Sequence, residues 1–282
     1  MNGYKLIGVD IGGTKMKAAY IENSSVTKQH IIQTPAQESK DYVLNSLAAC
    51  IEEVLTPEVK GIGVGVPGMV DTANGIIQQV LNIPSWKEVK LKEYLENRFH
   101  IPVFINNDAN CFAAGEKYFG QAKDYSNFLG ITLGTGVGSG IIINDNLYNG
   151  VNAGAGEIGY LPYKDSIFEH YCSSQFFSKF HHTTGIEVYK KILTGDTLAQ
   201  EIMDEFGYHI GELIKRIVYV LAPEAVILGG SISKSFNLFE KSMLESIAEF
   251  PFPSIVQDLK VKTSQLDDIS VLGAAALYYN SL

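Results

Sequence analysis

Two glycine-rich segments and one carboxylate between them are the residues of this chain best suited to chemistry. The segments are residues 8–15 (GVDIGGTK) and 133–140 (LGTGVGSG), and Asp108 lies between them in the sequence. Glycines let backbone N–H groups close around phosphate oxygens, because no Cβ blocks the approach and unusual φ angles are allowed. A positioned carboxylate can accept the proton of an attacking hydroxyl. The combination predicts phosphoryl transfer.

Each glycine segment lies between two short apolar stretches that are typical of β-strands. The pairs cover residues 4–9 and 17–21 in the first half, and 127–133 and 138–143 in the second. A dinucleotide-binding glycine turn opens a helix, so the strand–turn–strand order argues against that class. The repeated order predicts two related halves with the active site in a cleft between them.

Apolar spacing predicts the elements that position the other candidate groups. A buried strand over 61–66 ends in the turn pair Pro67-Gly68, and a strand over 103–105 runs into Asn107-Asp108. A helix follows over 109–119, and capping of this helix by Asn107 or Asp108 is the structural alternative to a catalytic role. Further helices are predicted over 42–55, 89–99, 201–221, 235–249 and 273–279, with a strand over 225–228 that leads into residues 229–231.

Composition limits the class of protein. The chain has 282 residues, 46% of them hydrophobic and 19% charged, with a net charge of −9. An acidic chain without a Lys/Arg cluster argues against nucleic acid and anionic membranes as partners. There is no basic-apolar leader and no stretch of about 18 apolar residues, so neither a signal peptide nor a membrane span is predicted. Three scattered cysteines favour a reduced cytoplasmic location.

Six motifs follow one another in a fixed order: 10–15 (DIGGTK), 65–68 (GVPG), 107–110 (NDAN), 133–138 (LGTGVG), 156–159 (GEIG) and 228–233 (LGGSIS). Together they resemble the ROK family, within the superfamily of sugar kinases, actin and heat-shock ATPases, over nearly the full length. The resemblance implies an α/β fold of two RNase-H-like (actin-like ATPase) domains around a central cleft. The domains would be residues 1–107, completed by the C-terminal helix 273–282, and residues 108–272.

The resemblance also implies residue roles, with ATP and Mg²⁺ as cosubstrates. Asp108 would be the general base, and Asp10 would organise Mg²⁺ through water. The phosphates would bind Gly12, Gly13, Thr14, Lys15, Thr135 and Gly136, and the adenosine would lie along Gly229, Gly230 and Ser231. The sugar would contact Gly68, Asn82, Asn107, Asp108, Glu157, Tyr160 and Glu169.

Two departures from the family pattern concern zinc and the sugar. Tyr160 occupies the position of the histidine that usually follows the Gly-Glu-x-Gly element, and residues 161–168 lack the family's cysteines. Zinc needs about four N/S ligands, so no structural zinc is predicted. Glu169 would keep the family's second sugar-binding glutamate after a shortened loop. The missing histidine leaves the identity of the sugar open.

The leading expectation is an ATP-dependent hexose kinase, glucokinase-like, acting on the 6-hydroxyl. The alternative is an N-acetylmannosamine or N-acetylglucosamine kinase, which Tyr160 and the missing zinc loop favour. A sugar-sensing repressor is a weaker alternative, because only three residues precede the first predicted strand and no DNA-binding segment is visible. An actin-like or chaperone-like ATPase without a sugar site is a third class. By family analogy we expect a homodimer.

Overall fold

The computed structural model describes residues 3–80 and 82–282, which divide into two compact units. The first unit contains Met1–Asp124, Gly140–Ala155 and Gln265–Leu282, and the second contains Tyr125–Ser139 and Gly156–Ser264. This division differs from the predicted domains of 1–107 with 273–282 and 108–272. Residues 108–124 belong to the first unit, together with a longer C-terminal segment.

The elements follow in chain order. The strands are β1 (Leu6–Ile11), β2 (Lys15–Glu22), β3 (Ser25–Gln33), β4 (Gly61–Val66), β5 (Met69–Asp71), β6 (Ile76–Gln79), β7 (Lys87–Lys90), β8 (Val103–Asn107), β9 (Phe128–Leu133), β10 (Val137–Ile143), β11 (Asn146–Tyr148), β12 (Pro162–Tyr163), β13 (Ser166–Ile167), β14 (Ala225–Gly229) and β15 (Lys260–Thr263). The helices are α1 (Lys40–Glu52), α2 (Leu91–Phe99), α3 (Asp108–Tyr118), α4 (Phe168–Cys172), α5 (Ser174–His181), α6 (Gly185–Leu193), α7 (Thr197–Leu221), α8 (Phe236–Ala248), α9 (Pro253–Val256) and α10 (Ile269–Asn280).

The first unit is built on a five-stranded sheet in the order β3-β2-β1-β4-β8. The predicted hairpin is confirmed, since β1 and β2 pair antiparallel. Strands β4 and β8 continue the sheet in parallel with β1. All six residues of β4 are buried, as expected of a central strand covered on both faces. A smaller antiparallel sheet, β5-β6-β7, belongs to the same unit.

Helix α10 lies directly on this sheet because glycines leave room for its backbone. A Cβ added at Gly8 of β1 would lie 1.8 Å from the carbonyl oxygen of Val271, and one at Gly63 of β4 would lie 1.8 Å from that of Ala274. Helix α3 in turn packs closely against α10, because a Cβ at Gly115 would lie 2.9 Å from the Cα of Gly273. These contacts bind α3 and α10 into the first unit, which explains why the predicted boundary differs.

The second five-stranded sheet repeats the arrangement of the first, in the order β11-β10-β9-β14-β15. Three consecutive strands are again followed by two that run parallel, β14 beside β9 and β15 beside β14. The division between the units falls within β10, after Ser139. The long helix predicted over 201–221 is present as α7, and it ends where Ala222 adopts a left-handed conformation before Pro223.

Within residues 3–80 and 82–282, every helix is too short or too polar to cross a lipid bilayer.

Candidate active site

In the first unit, the predicted groups gather at the carboxyl ends of three neighbouring parallel strands. Asp10 of β1 lies beside Gly65 of β4, and Gly65 lies beside Asn106 of β8. Asn107, also in β8, is followed by Asp108, the first residue of α3. Ligands of parallel α/β sheets bind at this edge, because the connecting loops and helix N-termini converge there. The sequence motifs 10–15, 65–68 and 107–110 therefore meet at one edge of one sheet.

The first glycine turn is held by hydrogen bonds at both ends. Gly12 N–H donates to the Lys15 carbonyl at 2.8 Å. Thr34 clamps the turn, since its hydroxyl donates to the Gly12 carbonyl at 2.6 Å and its N–H donates to the Thr14 carbonyl at 2.9 Å. The side chains of Thr14 and Lys15 are exposed. Thr34 follows β3, a strand that the sequence did not predict, so this clamp was not anticipated.

Asn82 lies against the same turn. A Cβ added at Gly13 would lie only 2.5 Å from the Cβ of Asn82, so glycine at 13 is what allows the two segments to touch. The structure thus places Asn82, a predicted sugar contact, next to residues predicted to bind phosphate.

Asp10 lies among polar residues, some of which the sequence did not predict. Burial raises the pKa of its carboxyl group, while a hydrogen bond from Ser270 and the charge of Lys17 lower it. Lys17 lies opposite Asp10 in the β1–β2 hairpin and forms an ion pair with Asp268. The pairing with Lys17 follows from the predicted hairpin. Asp268 and Ser270 come from the start of α10, far away in the sequence, and no local pattern marks them.

Asn107 and Asp108 have separate roles at the start of α3. Asn107 is the N-cap, and its Oδ1 accepts from Ala109 N–H at 2.8 Å. Its Nδ2 donates to the Gly68 carbonyl at 3.1 Å. Asp108 is exposed at the first helical position, where the helix dipole favours a carboxylate. Oδ1 of Asp108 accepts from the same Ala109 N–H at 2.9 Å, and the Asp108 carboxylate stays exposed.

Asp10 and Asp108 both affect the thiol of Cys111. Cys111 is buried on the inner side of α3. Burial raises the pKa of its thiol well above the ordinary value, and the charges of Asp108 and Asp10 raise it further. The charges of both carboxylates therefore act on one buried thiol of the first unit, although their residues are far apart in the sequence.

In the second unit, Glu169 supports the second glycine turn. Its Oε2 accepts from Val137 N–H at 3.1 Å, and its Oε1 accepts from the Gln175 amide at 3.2 Å. A Cβ at Gly136 would lie 2.5 Å from Oε2, so the carboxylate packs on the turn itself. Thr135 is exposed at the tip. The structure thus places Glu169, predicted to contact sugar, against the predicted phosphate-binding residues.

The segment from Gly156 to Tyr160 brings a second glutamate near Glu169. Gly156 has φ +94° and its carbonyl accepts from the Ser139 hydroxyl at 2.7 Å. Desolvation raises the pKa of Glu157, and the charge of Glu169 raises it further. Tyr160 is 64% exposed. The two predicted sugar-binding glutamates are therefore close enough to interact.

A largely apolar cavity of about 420 Å³ adjoins Ser231 in the second unit. Gly230 has φ +84°, and a Cβ there would lie 2.3 Å from the Leu133 carbonyl oxygen, so this turn touches the start of the second glycine segment. The volume is within the range of small-molecule sites. Helices α5 to α7 supply walls that the motifs did not reveal. The residues that line the cavity include Phe177, Ile186, Tyr189, Met203, Ser231 and Ile232.

Aromatic residues fill the region where the sequence departs from the family's zinc loop. Tyr163 stacks on Phe168 with ring centroids 4.1 Å apart. His209 of α7 is 1% exposed, and its Nδ1 lies 2.9 Å from the Tyr163 hydroxyl oxygen. Across the described parts of the chain, no three His, Cys, Asp or Glu residues are arranged to hold a metal ion.

His209 should make stability depend on pH. Burial, and then the charge of Lys164, lower the pKa of His209 to about 4, although Glu205 opposes this. The unfolded chain binds the proton more tightly, so stability is lost as the pH falls from about 6.5 towards 4. At pH 5 we expect the free energy of unfolding to be roughly 2 kcal/mol lower than above pH 7 from this group.

Urea unfolding of wild type and His209→Asn at pH 5 and pH 7.5 checks this prediction. The variant should lose most of the pH dependence even if it is less stable overall. His182→Asn, which removes an exposed histidine, is the control and should retain it. An unchanged difference between the two pH values in His209→Asn would contradict the assignment.

Comparisons with known proteins find matches over nearly the whole chain. The model of the ROK family matches residues 6–281. A glucokinase of Halalkalibacterium halodurans is 28% identical over 96% of this chain and 94% of its own length. A xylose repressor of Bacillus spizizenii is also 28% identical, over 94% of this chain and 73% of its own length.

A solved structure shows the same fold. The ROK family glucokinase from Streptomyces griseus, determined in complex with glucose and AMPPNP, matches with a TM-score of 0.78 and 25% identity, over 97% of this chain and 98% of its own. The predicted α/β class of actin-like ATPase type is confirmed.

Proposed function

This chain belongs to the ROK family, and from that premise we propose that it is an ATP-dependent kinase that phosphorylates the 6-hydroxyl of a hexose, with glucose as the first candidate. The observation that carries the proposal is the placement of Asp108. It stands exposed at the first position of α3, and its neighbour Asn107 is fixed to the Gly68 carbonyl. Glucokinases and a sugar-bound ROK structure among the similar proteins support a sugar kinase.

Asp108 acts as the general base in this proposal. Its carboxylate accepts the proton of the sugar hydroxyl while the hydroxyl oxygen forms a bond to the γ-phosphorus and the bond from that phosphorus to ADP breaks. Asp108 then releases the proton to water. Asn107 and Asn82 offer amide groups that can donate to and accept from sugar hydroxyls. Glu157 and Glu169 are the further acceptors that the family resemblance assigns to the sugar.

The nucleotide is assigned to the two glycine turns and the apolar cavity. The Gly12 and Gly134 N–H groups close the two turns, so the N–H groups of Gly13, Thr14, Thr135 and Gly136 are the ones that suit phosphate oxygens, and Lys15 adds an exposed cation. The cavity beside Ser231 has a volume and apolar walls suited to a nucleobase. Gly229 and Gly230, which precede Ser231 in the chain, are proposed to lie along the adenosine.

Asp10 fits a magnesium ion held through water. Its carboxylate is a hard oxygen donor, which Mg²⁺ prefers, and it lies at the sheet edge beside the first glycine turn. A hydrogen bond from Ser270 and the charge of Lys17 stabilise the charged form of this carboxylate. Mg²⁺, when bound, neutralises phosphate charge.

An amino sugar is the second candidate substrate. The observation that favours it is Tyr160, an exposed aromatic ring next to Gly159 where the family usually has histidine. An aromatic face offers apolar contact that an N-acetyl group can use, whereas the imidazole offers a hydrogen bond. N-acetylmannosamine and N-acetylglucosamine are therefore to be tested beside glucose.

A substrate panel tests the proposal. ADP release from Mg²⁺-ATP is measured with glucose, mannose, fructose, allose, N-acetylmannosamine and N-acetylglucosamine, with and without protein. We expect turnover that depends on one or a few of these sugars. Sugar binding by calorimetry without any sugar-dependent ADP release would contradict a kinase and favour a sugar-responsive regulator.

A further inference from the structure

Three asparagine side chains form a hydrogen-bond network at the end of β8, just before Asp108. Asn106 lies at its centre and is 4% exposed. Its Oδ1 accepts from Asn107 N–H at 2.8 Å and from Asn110 Nδ2 at 2.9 Å. Its Nδ2 donates to Asn149 Oδ1 at 2.7 Å. A buried amide is costly unless it is hydrogen-bonded, so this network fixes the side chain of Asn106 in one orientation.

The Oδ1 of Asn106 determines how the chain leaves β8 and enters α3. It holds Asn107 N–H from one side, and Asn110, in the first turn of α3, from the other. Between these two points lies Asp108. Asn107 is itself held by Ala109 N–H and by the Gly68 carbonyl. The peptide that carries Asp108 is thus anchored on both flanks by one buried side chain.

The Nδ2 of Asn106 holds a backbone segment with unusual conformation. Asn149 opens residues 149–155, where Gly150, Asn152 and Ala153 have φ of 63°, 52° and 55°. Left-handed backbone at Asn and Ala costs about 1 kcal/mol or more per residue and persists only where surrounding contacts impose it. The Ala155 N–H closes the segment on the Asn149 carbonyl at 3.1 Å, and the Asn106 bond fixes Asn149 to β8.

We infer that Asn106 is a positioning residue: it holds Asp108 through the start of α3, and it holds residues 149–155 through Asn149. The first half of this inference rests on the proposed function, because it assumes that Asp108 is the general base. The second half concerns only the protein's own structure. The two halves need separate measurements, so that failure of one is not mistaken for failure of the other.

Two variants of Asn106 separate positioning from bulk stability. Asn106→Ala removes every bond of the side chain, whereas Asn106→Asp keeps the acceptor for Asn107 N–H and Asn110, and Asn149 can turn its amide to donate to the new carboxylate. A catalytic group that is misplaced by about 1 Å can lower the reaction rate about a hundredfold. We expect kcat to fall about 10- to 100-fold in Asn106→Ala and by less in Asn106→Asp, where the remaining loss comes from the buried charge. The KM for ATP should be nearly unchanged in both.

Hydrogen exchange measured by mass spectrometry on the same proteins gives a readout that needs no activity. Amides of residues 149–155 should exchange faster in Asn106→Ala and in Asn149→Ala, and amides of the first turn of α3 should exchange faster in Asn106→Ala. Neither region should change in Asn106→Asp. Asn45→Ala, at an exposed asparagine of α1, is the control and should change neither readout. Unchanged exchange in Asn106→Ala would overturn the inference.

The rate measurements complete the test. A normal kcat in a folded Asn106→Ala would show that Asn106 does not position Asp108. A wild-type protein that phosphorylates no sugar would instead refute the proposed function, and the exchange data would then still decide the structural half.

Discussion

We expect Asp108→Asn to lower kcat about 10²- to 10⁴-fold, the range that a general base contributes. An amide cannot take up the proton of the sugar hydroxyl. The substitution is nearly isosteric, and the amide oxygen can still accept from Ala109 N–H as Oδ1 of Asp108 does at 2.9 Å. The fold and the contacts assigned to ATP should therefore remain. Steady-state kinetics and nucleotide binding by calorimetry measure the two effects separately.

Asp41→Asn is the matched control for this substitution. Asp41 is exposed in the first turn of α1, so it also loses one carboxylate at a helix N-terminus without touching the site. Its kcat should stay near that of wild type. Near-normal turnover by Asp108→Asn would remove the base assignment, and a loss of ATP binding in parallel with kcat would indicate a structural role instead.

The second large effect is expected at Gly63→Ala, on the stability of the first unit. The added Cβ would lie 1.8 Å from the Ala274 carbonyl oxygen and 3.0 Å from the Ala275 nitrogen. These are backbone atoms of α10, so neither can move without shifting the helix from the sheet. Overpacking usually costs about 1–3 kcal/mol and more when the backbone must move. We expect at least about 3 kcal/mol, or a Tm lower by roughly 6–12 °C.

Gly195→Ala is the control for Gly63→Ala. Gly195 has φ +85°, and a Cβ there would meet nothing within 4 Å. It should cost only about 1 kcal/mol, the penalty of a left-handed backbone for alanine. Thermal unfolding followed by circular dichroism compares the two variants. Equal losses of Tm would mean that the close approach of α10 to β4 does not contribute to the stability of the sheet.

The sequence predicted the parts of the fold that local patterns determine. Strand β4 was placed at its observed bounds because an apolar run ends in Pro67-Gly68. The hairpin of β1 and β2 was predicted from two apolar stretches joined by a glycine turn, and the long helix α7 from helical spacing. Strand β3 was not predicted, because most of its residues are exposed and polar, which leaves no apolar period of two.

The residues of the candidate site were likewise predicted only where a local motif marks them. Asp10, Asn107 and Asp108 were found because they stand in short motifs at strand ends. Thr34, Asp268 and Ser270 were not found, because each reaches the site from an element distant in the sequence. The contact between Gly115 of α3 and Gly273 of α10 joins residues about 160 positions apart, and no local pattern predicts it. The sequence therefore placed the domain boundary before α3. Sequence also did not predict the contact of Glu169 with the turn at Gly136.

Phosphorus NMR of the reaction products tests the central claim most directly. Wild-type protein is incubated with Mg²⁺-ATP and each sugar of the panel, and the spectra are followed with time. The account predicts that the γ-phosphate signal is replaced by a phosphomonoester on the 6-carbon of one sugar, in equal amount to ADP and absent with Asp108→Asn. Inorganic phosphate in place of a sugar phosphate, or unchanged ATP with every sugar, would contradict it.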